Sequence, residues 1–242
     1  MNNIVFITGA SSDIGLELIK SFRQKCLILA HYNRSNAELL ELSKIIKNEL
    51  VTIQADLSIQ EDIDDMLNNI SSNYGIPNMI VHLASSPISN IRFKDLDWSQ
   101  FEKEINISLK SAVIILNRFL PQLAKEKRGK VVIMLSSNVL GVPPKTLTHY
   151  TTIKYALLGL MRALASEYGE KNITINAVSP SMIETKFLMN INEKVVEASA
   201  YNNPLKRNAN VKDIIPAIIF LLSEDSNYLN GVNLPITGGS IF

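Results

Sequence analysis

Ser137, Tyr150 and Lys154 are the residues of this chain whose types and spacing speak most directly of chemistry. They lie in the stretch SSNVLGVPPKTLTHYTTIK, Ser136 to Lys154. Tyr150 and Lys154 stand four positions apart, so on a helix they share one face. Ser137 precedes Tyr150 by 13 positions and follows an apolar run, Val131 to Leu135, that reads as a buried strand. The serine then sits at a strand's C-terminal edge and the Tyr/Lys pair on the next helix. Open α/β sheets bind ligands at such edges. A hydroxyl, a phenol and an ammonium converging there can pass a proton to a carbonyl oxygen. Without its surroundings, however, a Tyr-x-x-x-Lys pair is equally a half-exposed tyrosine beside a solvated lysine.

The surroundings are a regular alternation of strand-like runs and helical patterns. Ile4–Ile7 is followed by a helical stretch over Ile14–Gln24, and Cys26–Ala30 by one over Asn36–Asn48. Val51–Gln54 leads to Ile59–Ser72, and Met79–Leu83 to one long helix over about Trp98 to Lys125. Val131–Leu135 leads to the helix of Tyr150, about His149 to Glu170. Ile173–Val178, a loop with a short helix, a helix over Val211–Leu222 and a strand over Val232–Ile236 complete the series. Alternating strands and helices predict a doubly wound parallel sheet of about seven strands, with helices on both faces. No linker or repeat interrupts it, so residues 1–242 are expected to form one domain. Residues 181–204 are irregular and form the expected lid over the substrate.

Bulk properties exclude several classes. The 242 residues carry a net charge of +1, which offers no general attraction to nucleic acid or anionic membrane. No apolar run approaches a membrane-spanning length, and Met1 to Ile7 is too short for a signal peptide. The single cysteine, Cys26, cannot form an internal disulfide. A cytoplasmic setting is therefore expected. No His/Cys/Asp/Glu group has metal-ligand spacing, so no metal is expected. His82 and His149 fit no obvious catalytic pattern.

Two features point to a dinucleotide. The turn Thr8-Gly9-Ala10-Ser11-Ser12-Asp13-Ile14-Gly15 joins the first strand to the first helix. Glycines there allow a tight turn and let a pyrophosphate approach the helix N-terminus. The glycine spacing differs from the three-glycine fingerprint, so an ordinary turn capped by Ser12 or Asp13 remains open. After the second strand the chain reads His31-Tyr32-Asn33-Arg34-Ser35. The acidic residue that would bind an NAD ribose is absent, whereas Arg34, flanked by Asn33 and Ser35, suits a 2′-phosphate. NADP(H) is thus expected in preference to NAD(H).

With these residues in place, the chain resembles the classical short-chain dehydrogenase/reductase family, and within it the 3-oxoacyl-[acyl-carrier-protein] reductase-like branch, from Ile4 to Gly239. TGASSDIG resembles the family's glycine motif, and Asp56-Leu57 its adenine-contacting pair. Asn106 falls at the catalytic asparagine, and Ser137, Tyr150 and Lys154 at the serine and YxxxK positions. Asn176 to Pro180 resembles the family's segment after the sixth strand, and Ile183 and Thr185 fall where the family holds the nicotinamide amide and phosphate. Pro204 to Arg207 and GVNLPITGG, Gly231 to Gly239, match its C-terminal hallmarks. The chain departs at Asp13, the family's middle glycine, and at His82-Leu83-Ala84-Ser85, the family's NNAG. It departs again at Ser181. The resemblance implies an NADP(H)-dependent carbonyl reductase or alcohol dehydrogenase. Its cofactor residues would run from Gly9, Ser11 to Gly15, Asn33 to Ser35, Asp56 and Leu57 through Ala84, Ser85, Tyr150 and Lys154 to Pro180, Ile183 and Thr185. Tyr150 would protonate the carbonyl oxygen, and the lysine's charge would lower the phenol's pKa. The substrate would be a small-molecule or carrier-bound carbonyl, a 3-oxoacyl chain among them. A polar substrate such as a sugar derivative, or a non-catalytic NADP sensor, stays open. The family also implies a homotetramer or homodimer.

Overall fold

A computed structural model describes residues 3–188 and 191–241. Met189 and Asn190, inside the expected lid, lie outside the described residues. The strands are β1 (Asn3–Thr8), β2 (Cys26–Tyr32), β3 (Glu49–Gln54), β4 (Met79–His82), β5 (Gly129–Met134), β6 (Ile173–Pro180) and β7 (Asn233–Ile236). They form one sheet in the order β3-β2-β1-β4-β5-β6-β7, every pair parallel. The chain winds outward from β1 in one direction and from β4 in the other. The β1/β4 boundary is the switch point where crevices open in such sheets.

The strand pattern explains why both faces are covered. Val5 and Ile7 pack on one side of β1 and Phe6 on the other, all without solvent exposure. Helices α1 (Asp13–Ser21), α2 (Ala37–Ser43) and α8 (Val211–Leu222) cover the Val5 side through Leu18, Leu39 and Ile218. Helices α3 (Gln60–Asn73), α5 (Ser111–Glu126) and α6 (Thr148–Tyr168) cover the other through Ile63, Phe119 and Leu157. Phe119 meets Phe6 edge to face, ring centroids 6.2 Å apart. Phe119→Ala is expected to cost about 3–5 kcal/mol by leaving a cavity there, measurable as a lower urea midpoint with unchanged slope. No helix among the described residues is long and apolar enough to cross a membrane.

Three expected helices differ. The first ends at Ser21 rather than Gln24, with Phe22 already extended. The second ends at Ser43, because Asn48 accepts from the Cys26 amide at 3.0 Å and donates to the Phe22 carbonyl at 3.2 Å. The long helix is interrupted. Helix α4 (Trp98–Ile105) passes through a π-turn, Asn106–Lys110, before α5 begins. The Ser111 amide bonds five residues back, to the Asn106 carbonyl. Such a turn marks functional sites often. The segment after β6 carries a short 3₁₀ turn, Lys186–Leu188, and helix α7 (Glu193–Asn202).

Candidate active site

The turn after β1 can take no side chain at its two glycines. Gly9 is left-handed at φ 67°, and a Cβ there would sit 3.2 Å from the Ala84 backbone. A Cβ on Gly15 would lie 2.4 Å from the Ala10 carbonyl oxygen. Ser12 caps α1, its hydroxyl accepting from the Gly15 amide at 3.2 Å and donating to the Gly9 carbonyl at 2.8 Å. His31 Nδ1 accepts from the Gly9 amide at 3.0 Å, and its Nε2–H donates to the Ala55 carbonyl at 3.1 Å. This pins the turn to β2 and fixes one imidazole tautomer. A close-approach backbone cradle at a helix N-terminus suits a pyrophosphate.

Asp13 does not point into that cradle unopposed. Its Oδ2 accepts from the Lys186 amide at 2.7 Å, and Lys186 Nζ stands 3.9 Å from Oδ1. The same ammonium donates to Glu38 Oε1 at 2.8 Å. Where the family has its middle glycine, this chain ties the turn to the segment after β6. Arg34 is exposed in the loop after β2 and makes no ion pair among the described residues. The Asp56 carboxylate accepts from the Ser58 hydroxyl at 2.6 Å and its amide at 2.9 Å, which holds it below the usual carboxylate range.

A cleft of about 1130 Å³ joins these parts to the chemical residues. Gly9, Ser11, Asp13 and Ile14 line it, as do Asn33, Arg34, Ser35, Asp56 and Leu57. Ala84, Ser85, Pro180, Ile183 and Thr185 are in its wall as well. Ser137, Tyr150 and Lys154 line it too; Ser12, Gly15 and Asn106 shape the surroundings without lining it. Of the expected lid, Phe187, Leu188, Ile191, Val195 and Ser199 also reach the cleft, and Ser86 to Asn90, Val142 and Pro144 line it as well.

Helix α6 presents Tyr150 and Lys154 as the four-residue spacing predicts. Lys154 is buried and donates to the Met134 carbonyl at 2.8 Å. Its ammonium lies 5.4 Å from the centroid of the Tyr150 ring. Burial brings the lysine down to about 8. The phenol departs from expectation. Burial pushes it up to about 12, opposed only by the Ser136 hydroxyl. The Lys154 ammonium is turned to the Met134 carbonyl and the ring face. Ser136, one position before the expected serine, is the hydroxyl at the phenol. It caps the 3₁₀ turn Ser137–Val139, accepting from the Asn138 amide at 3.3 Å.

A family model described as Enoyl-(Acyl carrier protein) reductase matches residues 9–240. The chain belongs to the short-chain dehydrogenase/reductase family. Members are oxidoreductases of the carbonyl/alcohol pair that bind a nicotinamide cofactor, and this chain is one of them. It is 29% identical to xanthoxin dehydrogenase of Arabidopsis thaliana, over 99% of this chain and 90% of that one. It is 26% identical to 3-oxoacyl-[acyl-carrier-protein] reductase FabG of Thermotoga maritima, over 98% and 97%. The solved structure "ElxO with NADP Bound" superposes with a TM-score of 0.87 at 25% identity, covering 99% of both chains.

Against the family pattern, His82 is the informative departure. Its Nε2–H donates to the Ser108 carbonyl of the π-turn at 2.8 Å, and Nδ1 accepts from the Thr8 hydroxyl at 3.0 Å. The Thr8 oxygen in turn accepts from the Leu83 and Ala84 amides. The altered NNAG segment therefore supports the Asn106 region rather than weakening it. Burial lowers both His82 and His31 to about 4. Each is neutral when folded and binds a proton more readily when unfolded, so stability falls as pH drops from about 6.5 to 4. His82→Asn keeps a donor and removes one titration. It is expected to flatten the stability–pH curve in that window by up to roughly 3 kcal/mol, read from urea melts at stepped pH. Sequence reasoning missed Ser136, His31 and the Lys186 tie. Only Ser136 left a signal, as the first serine of the pair.

Proposed function

We propose that the protein is an NADP(H)-dependent carbonyl reductase in which Tyr150 is the proton donor. The observation that carries this reading is Tyr150 with the Ser136 hydroxyl at its phenol and Lys154 against its ring, in one cleft with the glycine turn and Arg34. The cofactor would rest on the Gly9–Gly15 turn, with Asp56 and Leu57 at the adenine and Ile183 and Thr185 at the nicotinamide end. Bound there, it supplies the hydride. The rest is the work of this chain. Ser136 holds the carbonyl oxygen, with Ser137 beside it. Tyr150 gives up its proton to that oxygen, and Lys154 returns one through the Asn106 turn. A phenol held protonated near neutral pH suits reduction; the reverse direction needs phenolate and gains as pH rises.

Arg34 is the basis for NADP(H) over NAD(H). Hydrogen bonds to charged groups contribute about 1.5–3 kcal/mol, so Arg34→Ala is expected to reduce kcat/KM for NADPH by roughly 10–100-fold. NADH should change little. Equal losses with both cofactors would remove the argument for the phosphate.

A sensor without chemistry is disfavoured by the complete Ser/Tyr/Lys/Asn set. A 3-oxoacyl chain on a carrier is one substrate reading, from the relatives' names. We further propose a cytoplasmic homotetramer, from the family and from the buried thiol of Cys26, pushed up to about 11. Residues 181–204 are read as the lid, held at its start by Asp13. Following NADPH absorbance with a panel of ketones, aldehydes and acyl thioesters tests the reading: turnover supports it, and tight NADPH binding with no turnover of any carbonyl sinks it.

A further inference from the structure

One acidic group of the cleft has no part in proton donation. Glu104, in the last turn of α4, lines the cleft and is only 7% exposed. Among the described residues no N–H or O–H donates to its carboxylate. The nearest basic group, His149 Nε2, is 3.8 Å from Oε1, beyond hydrogen-bond reach. A buried carboxyl without a donor is costly, and burial alone pushes Glu104 up to about 7. Lys103 also lines the cleft but is exposed and makes no ion pair with it among the described residues.

The neighbours are polar and ordered. Gln100 lies one helical turn before Glu104 on α4 and donates from Nε2 to Ser89 Oγ at 3.1 Å. Ser89 Oγ stands 3.4 Å from His149 Nε2. His149 is buried, its Nδ1 has no partner among the described residues, and it directly precedes Tyr150. Ser89, Gln100 and Glu104 thus gather around His149, the residue before the proton donor, in the cleft that Tyr150, Val142, Leu188 and Ile191 also line. A plain acyl chain would leave the Glu104 carboxylate unanswered. A donor on the substrate would answer it.

We propose that Glu104, with Gln100 and Ser89, reads a hydrogen-bond donor on the substrate, so that the preferred carbonyl compounds carry a hydroxyl or ammonium group near the reacting carbon. This rests on the carbonyl-reductase reading and narrows it to a substrate class. Sites built to hydrogen-bond a substrate group reject the analogue lacking it strongly.

The test is a matched set of cyclohexanones bearing hydroxyl, amino or methyl at successive ring carbons, assayed with NADPH. The wild type should prefer at least one hydroxyl or amino ketone over its methyl isostere by about tenfold or more in kcat/KM. The hydroxyl and amino arms distinguish the two donors. Glu104→Leu should narrow that ratio to within about twofold, and Glu104→Gln, the conservative change, should keep part of it if Leu disturbs folding. Methyl preference at every position, or an unchanged ratio in Glu104→Leu, overturns the proposal. If the wild type turns over no ketone, the reductase reading has failed, and thermal shifts in NADPH-loaded protein then judge Glu104 alone. Greater protection by hydroxyl or amino than by methyl ketones, lost in Glu104→Leu, supports it; equal protection sinks it.

Discussion

Tyr150→Phe should lower kcat for ketone reduction by about 10²–10⁴-fold, the range general-acid groups supply. The argument rests on what phenylalanine keeps. The ring remains, so the packing of Lys154 against it at 5.4 Å persists, and Lys154 keeps the Met134 carbonyl. NADPH affinity should therefore hold within about threefold, because no contact to the dinucleotide's phosphates is removed. Only the transferable proton is lost. A fall in kcat and kcat/KM together, with KM nearly constant, is the signature of a group used in the transition state. The direction of the phenol shift adds a second reading. A phenol pushed up to about 12 stays protonated at neutral pH, so reduction should be flat there while alcohol oxidation climbs with pH.

Ser136→Ala should be the next most damaging change, lowering kcat by about 10²–10³-fold, as when one donor to a developing oxyanion is removed. Ser137→Ala should lose less. The contrast follows from position. Ser136 is nearly buried, and its hydroxyl is the group opposing burial at the phenol. Ser137 opens the following 3₁₀ turn, where its carbonyl accepts from the Leu140 amide at 3.0 Å. Measuring both variants under saturating NADPH decides the assignment. If Ser137→Ala is the more damaging, the serine 13 residues before Tyr150 holds the role after all.

The comparison of the two serines shows what a sequence can and cannot specify. Strand–helix alternation placed all seven strands, because continuous apolar runs have few other uses in a sheet covered on both faces. Tyr150 and Lys154 followed from helical periodicity, and the Ser12 cap from the chemistry of helix ends. Which of the two adjacent serines at the end of β5 serves the phenol could not be read, since both satisfy the same pattern. The π-turn at Asn106–Lys110 also left no trace. A bond to the residue five back depends on tertiary partners, here His82 on the Ser108 carbonyl. Asp13 read only as a departure from the glycine motif, because its partner, the Lys186 amide, is 173 residues away in the chain. Glu104 gave no signal either, for its burial and its lack of donors arise only when α4 packs on α6.

The central claim is that Tyr150 donates the proton to a carbonyl reduced at this cleft. Single-turnover reduction of a ketone identified in the NADPH panel, by wild type and Tyr150→Phe side by side, tests it most directly. The account predicts rapid loss of NADPH absorbance with alcohol formed in the wild type, and equal NADPH binding with reduction slowed at least about 10²-fold in the variant. Full-rate reduction by Tyr150→Phe would contradict it.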